Sequence, residues 1–165
     1  MGLATYMAIK DVRAYIDKHG LVETRDDEIE KPLYRKPGFE GIRSFSEMER
    51  IFSRVIREKR DSHNLNRAQT AMMVGLHELI FARYERAFSK LTVTRLIHLA
   101  EILGFSPIEL LYAAAPHLFG DSQEEADDKV KLMLRILNMP AATTHSLLRL
   151  IEGLSPTDED KMAQR

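Results

Sequence analysis

The chain has 165 residues, enough for one domain or for one domain with sizeable appendages. Its composition, 44% hydrophobic and 30% charged with a formal net charge of −1, is that of an ordinary globular protein and points to no partner by itself. The absence of cysteine excludes disulfides, thiolate metal sites and thiol catalysis. No apolar run approaches the roughly 18 residues that a membrane span needs. The charge is unevenly spread. Residues 52–112 carry nine Lys/Arg and six Asp/Glu, the one basic part, while 113–165 carry six and nine. A surplus of three is modest for a phosphate-binding surface.

From the start of the chain, Met7, Ile9, Val12, Tyr15 and Ile16 form a helical stripe within 3–18, and His19-Gly20 supplies a stop. Lys10, Asp11, Arg13 and Asp17 interrupt this segment, so it does not read as a secretory signal, and the expectation is a cytoplasmic protein. Residues 21–43 hold Asp26-Asp27-Glu28, Pro32, Pro37, Gly38 and Gly41. They read as a loop with solvated acidic charge and one short extended piece at 32–35. Ser46 followed by Glu49 is a capping-box pattern that starts a helix reaching about Ser62, with Met48, Ile51, Phe52, Val55 and Ile56 on one face. Four shorter helices follow, at 67–74, 77–86, 92–103 and 107–114. Thr92 is a natural N-cap, and Ser106-Pro107-Ile108-Glu109 joins an N-cap, a Pro at the first helical position and a capping-box Glu. Ser122 and Glu125 open another helix, with Val130, Met133, Leu134 and Leu137 in a stripe that ends before Pro140. The last helix, about 143–152, carries Leu147, Leu148, Leu150 and Ile151, and 155–165 is polar with a frayed look.

The helices at 67–74 and 77–86 flank Gly75, a helix-turn-helix pattern. Ala71 suits the close approach of two steeply crossed helices and Gly75 the turn between them. Val74, Leu76, Phe81 and Tyr84 are spaced to enter a core with Ile56, Leu65, Leu96, Leu99 and Leu103. The run Leu65-Asn66-Arg67-Ala68-Gln69-Thr70-Ala71-Met72-Met73-Val74-Gly75-Leu76 resembles the second helix and turn of the lambda-repressor/Cro-like (XRE) family. Phe81-Ala82-Arg83-Tyr84-Glu85-Arg86 resembles the end of its recognition helix. The run from Leu96 to Leu111, with Gly104 and Ser106-Pro107 inside it, resembles its fourth helix and the start of its fifth. The resemblance covers 52–111 and leaves both flanks unmatched.

It implies a five-helix lambda-repressor-like domain at 46–115; with the helical patterns of the flanks the expectation is an all-α chain, with an N-terminal helix and linker at 1–45 and a C-terminal helical segment at 116–165 whose apolar stripes need burial and point to dimerisation. It also implies a structural ion pair between Arg60 and Glu85. Base reading falls to Glu78, Leu79 and Arg83, through cytosine N4, a thymine methyl and guanine O6/N7 respectively. Phosphate contact falls to Arg67, His77, Arg86 and Lys90. The chain departs from the family in carrying Glu78-Leu79-Ile80-Phe81 at the front of this helix and Ala87 where the family has glycine.

The six histidines have no metal-site spacing and read as surface or cap residues, and no phosphate loop or nucleophile elbow occurs. The expected protein is a non-enzymatic, cofactor-free transcriptional regulator that reads double-stranded DNA as a homodimer, its flanking helices open to a second protein. Two alternatives stand beside it. One is a protein-interaction module docking through Leu79, Ile80 and Phe81. The other is a DNA-binding antitoxin whose acidic C-terminal segment covers a toxin.

Overall fold

The structure, a computed structural model, describes residues 11–154. In chain order it holds α1 (Val12–Lys18), β1 (Val22–Asp26), β2 (Ile29–Arg35), α2 (Phe45–Ser62), α3 (Arg67–Met73), α4 (Glu78–Glu85), α5 (Val93–Leu103), α6 (Pro107–Ala114), a short 3-10 turn (Pro116–Leu118), α7 (Gln123–Leu137) and α8 (Ala141–Leu154). Met7, Ile9 and the acidic run Asp158-Glu159-Asp160 lie outside the described residues.

The chain is not all-α. β1 and β2 form an antiparallel hairpin, with Val22 opposite Arg35 and Thr24 opposite Leu33. Eight α-helices accompany it among the described residues, so a five-helix description does not fit either. The expected extended piece at 32–35 lies within β2 and 36–43 is irregular, but 22–31 forms a hairpin where a loop was expected, and Asp26 anchors it. Its carboxylate is buried, 7% exposed. It accepts from the N–H of Glu28 at 3.2 Å, closing the turn, and from the N–H of Phe45 at 2.7 Å, where α2 begins. An Asx turn and a helix-end hydrogen bond from one side chain outweigh the loop character of the surrounding Pro and Gly.

That anchor also moves the start of α2. Ser44 caps the helix and Glu47 completes the box, where Ser46 and Glu49 were expected. Both pairs fit the pattern, but the Phe45 N–H held by Asp26 is already in the first turn. Glu49 instead accepts from the N–H of Leu91 at 3.4 Å, and its desolvation raises the carboxyl above its ordinary value. At Ser122 half of the expected box forms: Ser122 caps Glu125, but the Glu125 carboxylate turns to the N–H of Asp121 at 2.8 Å.

The core lies among α2 to α6. Ile56, Ala71, Val74, Phe81, Leu96, Leu99, Leu103, Phe105 and Leu110 are buried together, with Leu65 and Leu76 packed at the edge. Tyr84 stays half-buried at the margin, lining a hollow with Thr92, Thr94, Arg95 and His98. The connection from the hairpin to α2 is fastened to the far side of this body. Arg43 Nη1 donates to the carbonyls of Ala113 and Ala114 at 2.9 Å each, capping the C-terminal end of α6. A Cβ on Gly38 would lie 2.5 Å from the His117 Cβ, so only glycine lets the loop come this close. The first half of α7 buries Ala126 and Val130, whereas no described element packs closely along α8.

Candidate nucleic-acid interface

Two short helices need a tight turn, and α3 and α4 obtain it from Gly75, whose φ of +67° suits a residue without Cβ. The Leu76 N–H donates to the Ala71 carbonyl at 2.8 Å, and Arg95 Nη1 reaches over from α5 to the Val74 carbonyl at 2.7 Å. Asn66 and Gln69 form a full capping box at the start of α3. His77 begins α4 without a side-chain cap bond, so the first N–H groups of that helix carry no side-chain acceptor from it.

The two sides of α4 differ. Its inner side holds Phe81, Ala82 and Glu85, all buried. Glu85 is 1% exposed. Its carboxylate accepts from Arg60 Nε at 2.6 Å and Nη2 at 3.3 Å, and from Arg67 Nε at 2.6 Å. The bond from Glu85 holds the Arg60 guanidinium above its ordinary pKa. Two carbonyls at the end of α4 are also taken: Ser53 donates to that of Tyr84 at 2.5 Å and Arg57 to that of Glu85 at 2.6 Å. The helix is thereby bolted to α2 and to the start of α3.

The outer side carries the base-reading candidates. His77, Glu78 and Arg83 are exposed, Leu79 is 80% exposed, and Arg86 is exposed at the C-cap. Arg83 Nε donates to Ser89 Oγ at 3.2 Å, which aims the guanidinium along the loop after α4. The phosphate candidates divide. His77 and Arg86 share this outer side, whereas Arg67 is turned inward to Glu85. Lys90 is bonded to Glu28 of the hairpin at 2.6 Å, an exposed pair that holds the ammonium above its ordinary pKa.

Ala87 follows α4 with φ +57°, the left-handed region where glycine carries no penalty. No protein family, curated protein or solved structure matches the chain. No helix among the described residues is long and apolar enough to cross a membrane. No group of His, Cys, Asp and Glu among them is placed to hold a metal ion.

Sequence reasoning did not find several participants. Met72, 75% exposed, and Met73, 40% exposed, fall off the Ala71–Val74 stripe, a spacing that was there to read. Arg57 lies one turn before Arg60 and shares its face. The Glu28–Lys90 bond crosses a long stretch of chain and left no local signal. Two histidines are more than surface residues: His63 Nε2 donates to the Leu103 carbonyl at 2.8 Å, and His117 Nδ1 lies 3.3 Å from Glu40.

Proposed function

We propose that the chain is a sequence-specific DNA-binding regulator of transcription, similar to the lambda-repressor/Cro-like (XRE) proteins, that sets α4 in a major groove and reads a pseudo-palindromic operator as a dimer. The observation that carries this reading is the division of α4. A helix held from behind by Arg60, Arg67, Arg57 and Ser53 presents Glu78, Leu79 and Arg83 outward with little freedom to tilt. Rigid support of the reading side chains is what base discrimination needs, since each bidentate contact requires a fixed approach. His77 and Arg86 flank the same side for phosphate contact.

A salt series on duplex binding tests the reading. Affinity falls steeply with salt if several phosphates are contacted, and absence of binding to any duplex at low salt removes the proposal. Arg83→Ala lowers affinity for the preferred sequence by about 1–3 kcal/mol and relaxes the preference at one position. An equal loss on every sequence reduces Arg83 to a phosphate contact.

One observation favours a second reading. Phe81, expected to dock with Leu79 and Ile80, is buried, but Met72, Leu79 and Ile80 are all exposed on the same helix pair, at 75%, 80% and 43%. Apolar area of this kind suits a protein partner docking on the tips of α3 and α4. In that case Leu79→Ala weakens partner capture while duplex binding is absent.

A further inference from the structure

The C-terminal arm, α7 and α8, has apolar side chains without cover. Leu132 is 50% exposed, Leu137 62%, Leu148 52% and Leu150 60%. A helix of about this length is marginal in water when it stands alone, so α8 calls for a partner.

The charges of α7 say which one. Glu124, Asp128, Lys131 and Arg135 follow one another at four, three and four residues, the spacing of a single helical stripe. All four are exposed, and they lie on the side of α7 away from the buried Ala126 and Val130. Asp128 and Lys131 face each other at 3.8 Å, and with Leu132 and Arg135 they border a shallow hollow. The order along the stripe is acid, acid, base, base. A stripe of this order repels a parallel copy of itself, because acids meet acids. It matches an antiparallel copy. A two-fold axis passing between Asp128 and Lys131 sets Glu124 opposite Arg135 of the second copy and Asp128 opposite its Lys131. Both contacts then recur by symmetry, as an isologous interface requires.

We infer that the outward stripe of α7 is a homodimer interface in which two copies pair antiparallel, with Leu132, which borders the same hollow as Asp128, Lys131 and Arg135, covered in the same contact. The charges set the register, and Leu132 adds apolar burial, since exposed ion pairs alone contribute little. This names the surface for the dimer in the function proposed above, and it stands or falls without DNA.

The test is the mass of the full chain in solution, by sedimentation equilibrium without DNA. The expected mass is twice the 19.0 kDa of the chain. Lys131→Glu with Arg135→Glu makes the stripe wholly acidic and halves the mass. Glu124→Lys with Asp128→Lys makes it wholly basic and halves the mass likewise. Combining all four substitutions in one chain restores the dimer, and mixing the acidic with the basic variant yields a heterodimer. Far-ultraviolet circular dichroism establishes that each variant is folded. A monomeric wild type, a dimer that survives either half-reversal, or a four-fold variant that stays monomeric overturns the proposal. Loss of duplex binding with the dimer intact counts against the function and leaves the interface standing.

Discussion

The helix pair α3–α4 and the arm α7–α8 solve the burial problem in different ways. In the pair, a small apolar contribution from Ala71, Val74 and Phe81 is reinforced by a buried charge cluster of Glu85 with Arg60 and Arg67. Glu85 points inward, and the carbonyls of Val74, Tyr84 and Glu85 are braced by Arg95, Ser53 and Arg57. The arm has more exposed leucine, and its bracing is confined to the start of α7, where Tyr112 of α6 donates to Asp127 and Gln123 donates to Tyr112 at 2.7 Å, while Lys129 pairs within the helix with Glu125 at 2.5 Å. An element held on its own domain is free to present a surface to something else. One that is not held must find its complement elsewhere. The first arrangement suits a reading head and the second an interface.

Breaking the buried cluster is the largest expected perturbation. Glu85→Ala takes from Arg60, whose side chain is 8% exposed, its buried carboxylate and leaves it only the exposed Asp61 carboxylate and the Leu65 carbonyl. Removing one partner of a buried pair costs up to about 3–5 kcal/mol, because the remaining charge is left desolvated, and the partners that Arg60 keeps set the loss at or below the lower end of that range. Denaturant unfolding followed by circular dichroism reads this as a lower midpoint with little change in slope. A loss below about 1 kcal/mol would place the cluster among surface ion pairs and remove the bolt behind α4.

Ala87 sharpens the comparison from the other direction. Its left-handed backbone costs roughly 1–2 kcal/mol for a residue with a Cβ. Ala87→Gly relieves this but also frees the unfolded chain, so a net gain of about 1 kcal/mol is expected. Thermal unfolding checks it. A loss instead of a gain would mean that the Ala87 methyl group makes contacts worth more than the strain.

Acid distinguishes the hairpin from both regions. The Phe45 N–H holds the Asp26 carboxyl below its ordinary value of 3.8, against an opposing desolvation. Its contribution is therefore complete above that value and is lost as pH falls through the lower value of the folded state. Glu47, lowered by the Ser44 N–H, has the same sign, while Glu49, raised by desolvation, has the opposite one. Asp26→Asn should flatten the fall in stability below about pH 4. An unchanged profile would assign the acid limb to other carboxylates.

Much of the helical framework was legible in the sequence, because local rules governed it. Thr92, Ser106 and Glu109 cap where their chemistry says they should, and Pro107 opens α6. The Arg60–Glu85 contact was reached through family resemblance, since nothing local ties residues so far apart. The hairpin was missed because its decisive group is one side chain acting at a distance. Asp26 looks like solvated charge until Phe45 is brought to it. The same blindness hid Glu28 from Lys90. The fate of the C-terminal leucines also lay beyond pattern reading, since a stripe shows that burial is needed but not where it occurs.

The smallest effect expected concerns the bond that joins hairpin and helix pair. Lys90 and Glu28 lie 2.6 Å apart, with side chains 67% and 38% exposed, so the pair contributes about 0–1 kcal/mol to stability. Glu28→Gln should leave the unfolding midpoint nearly unmoved. Its consequence under the proposed function lies in binding. Glu28 occupies the ammonium group that a phosphate would need, and without it the affinity for duplex at low salt rises. Net charge alone also favours the variant, so Glu30→Gln is the control. It removes the same charge from the same hairpin and leaves the Lys90 bond in place. A larger gain from Glu28→Gln than from Glu30→Gln marks Lys90 as a phosphate contact held in check by the hairpin. Equal gains leave only the overall field, and Lys90 then belongs to the fastening of the hairpin and not to the reading surface.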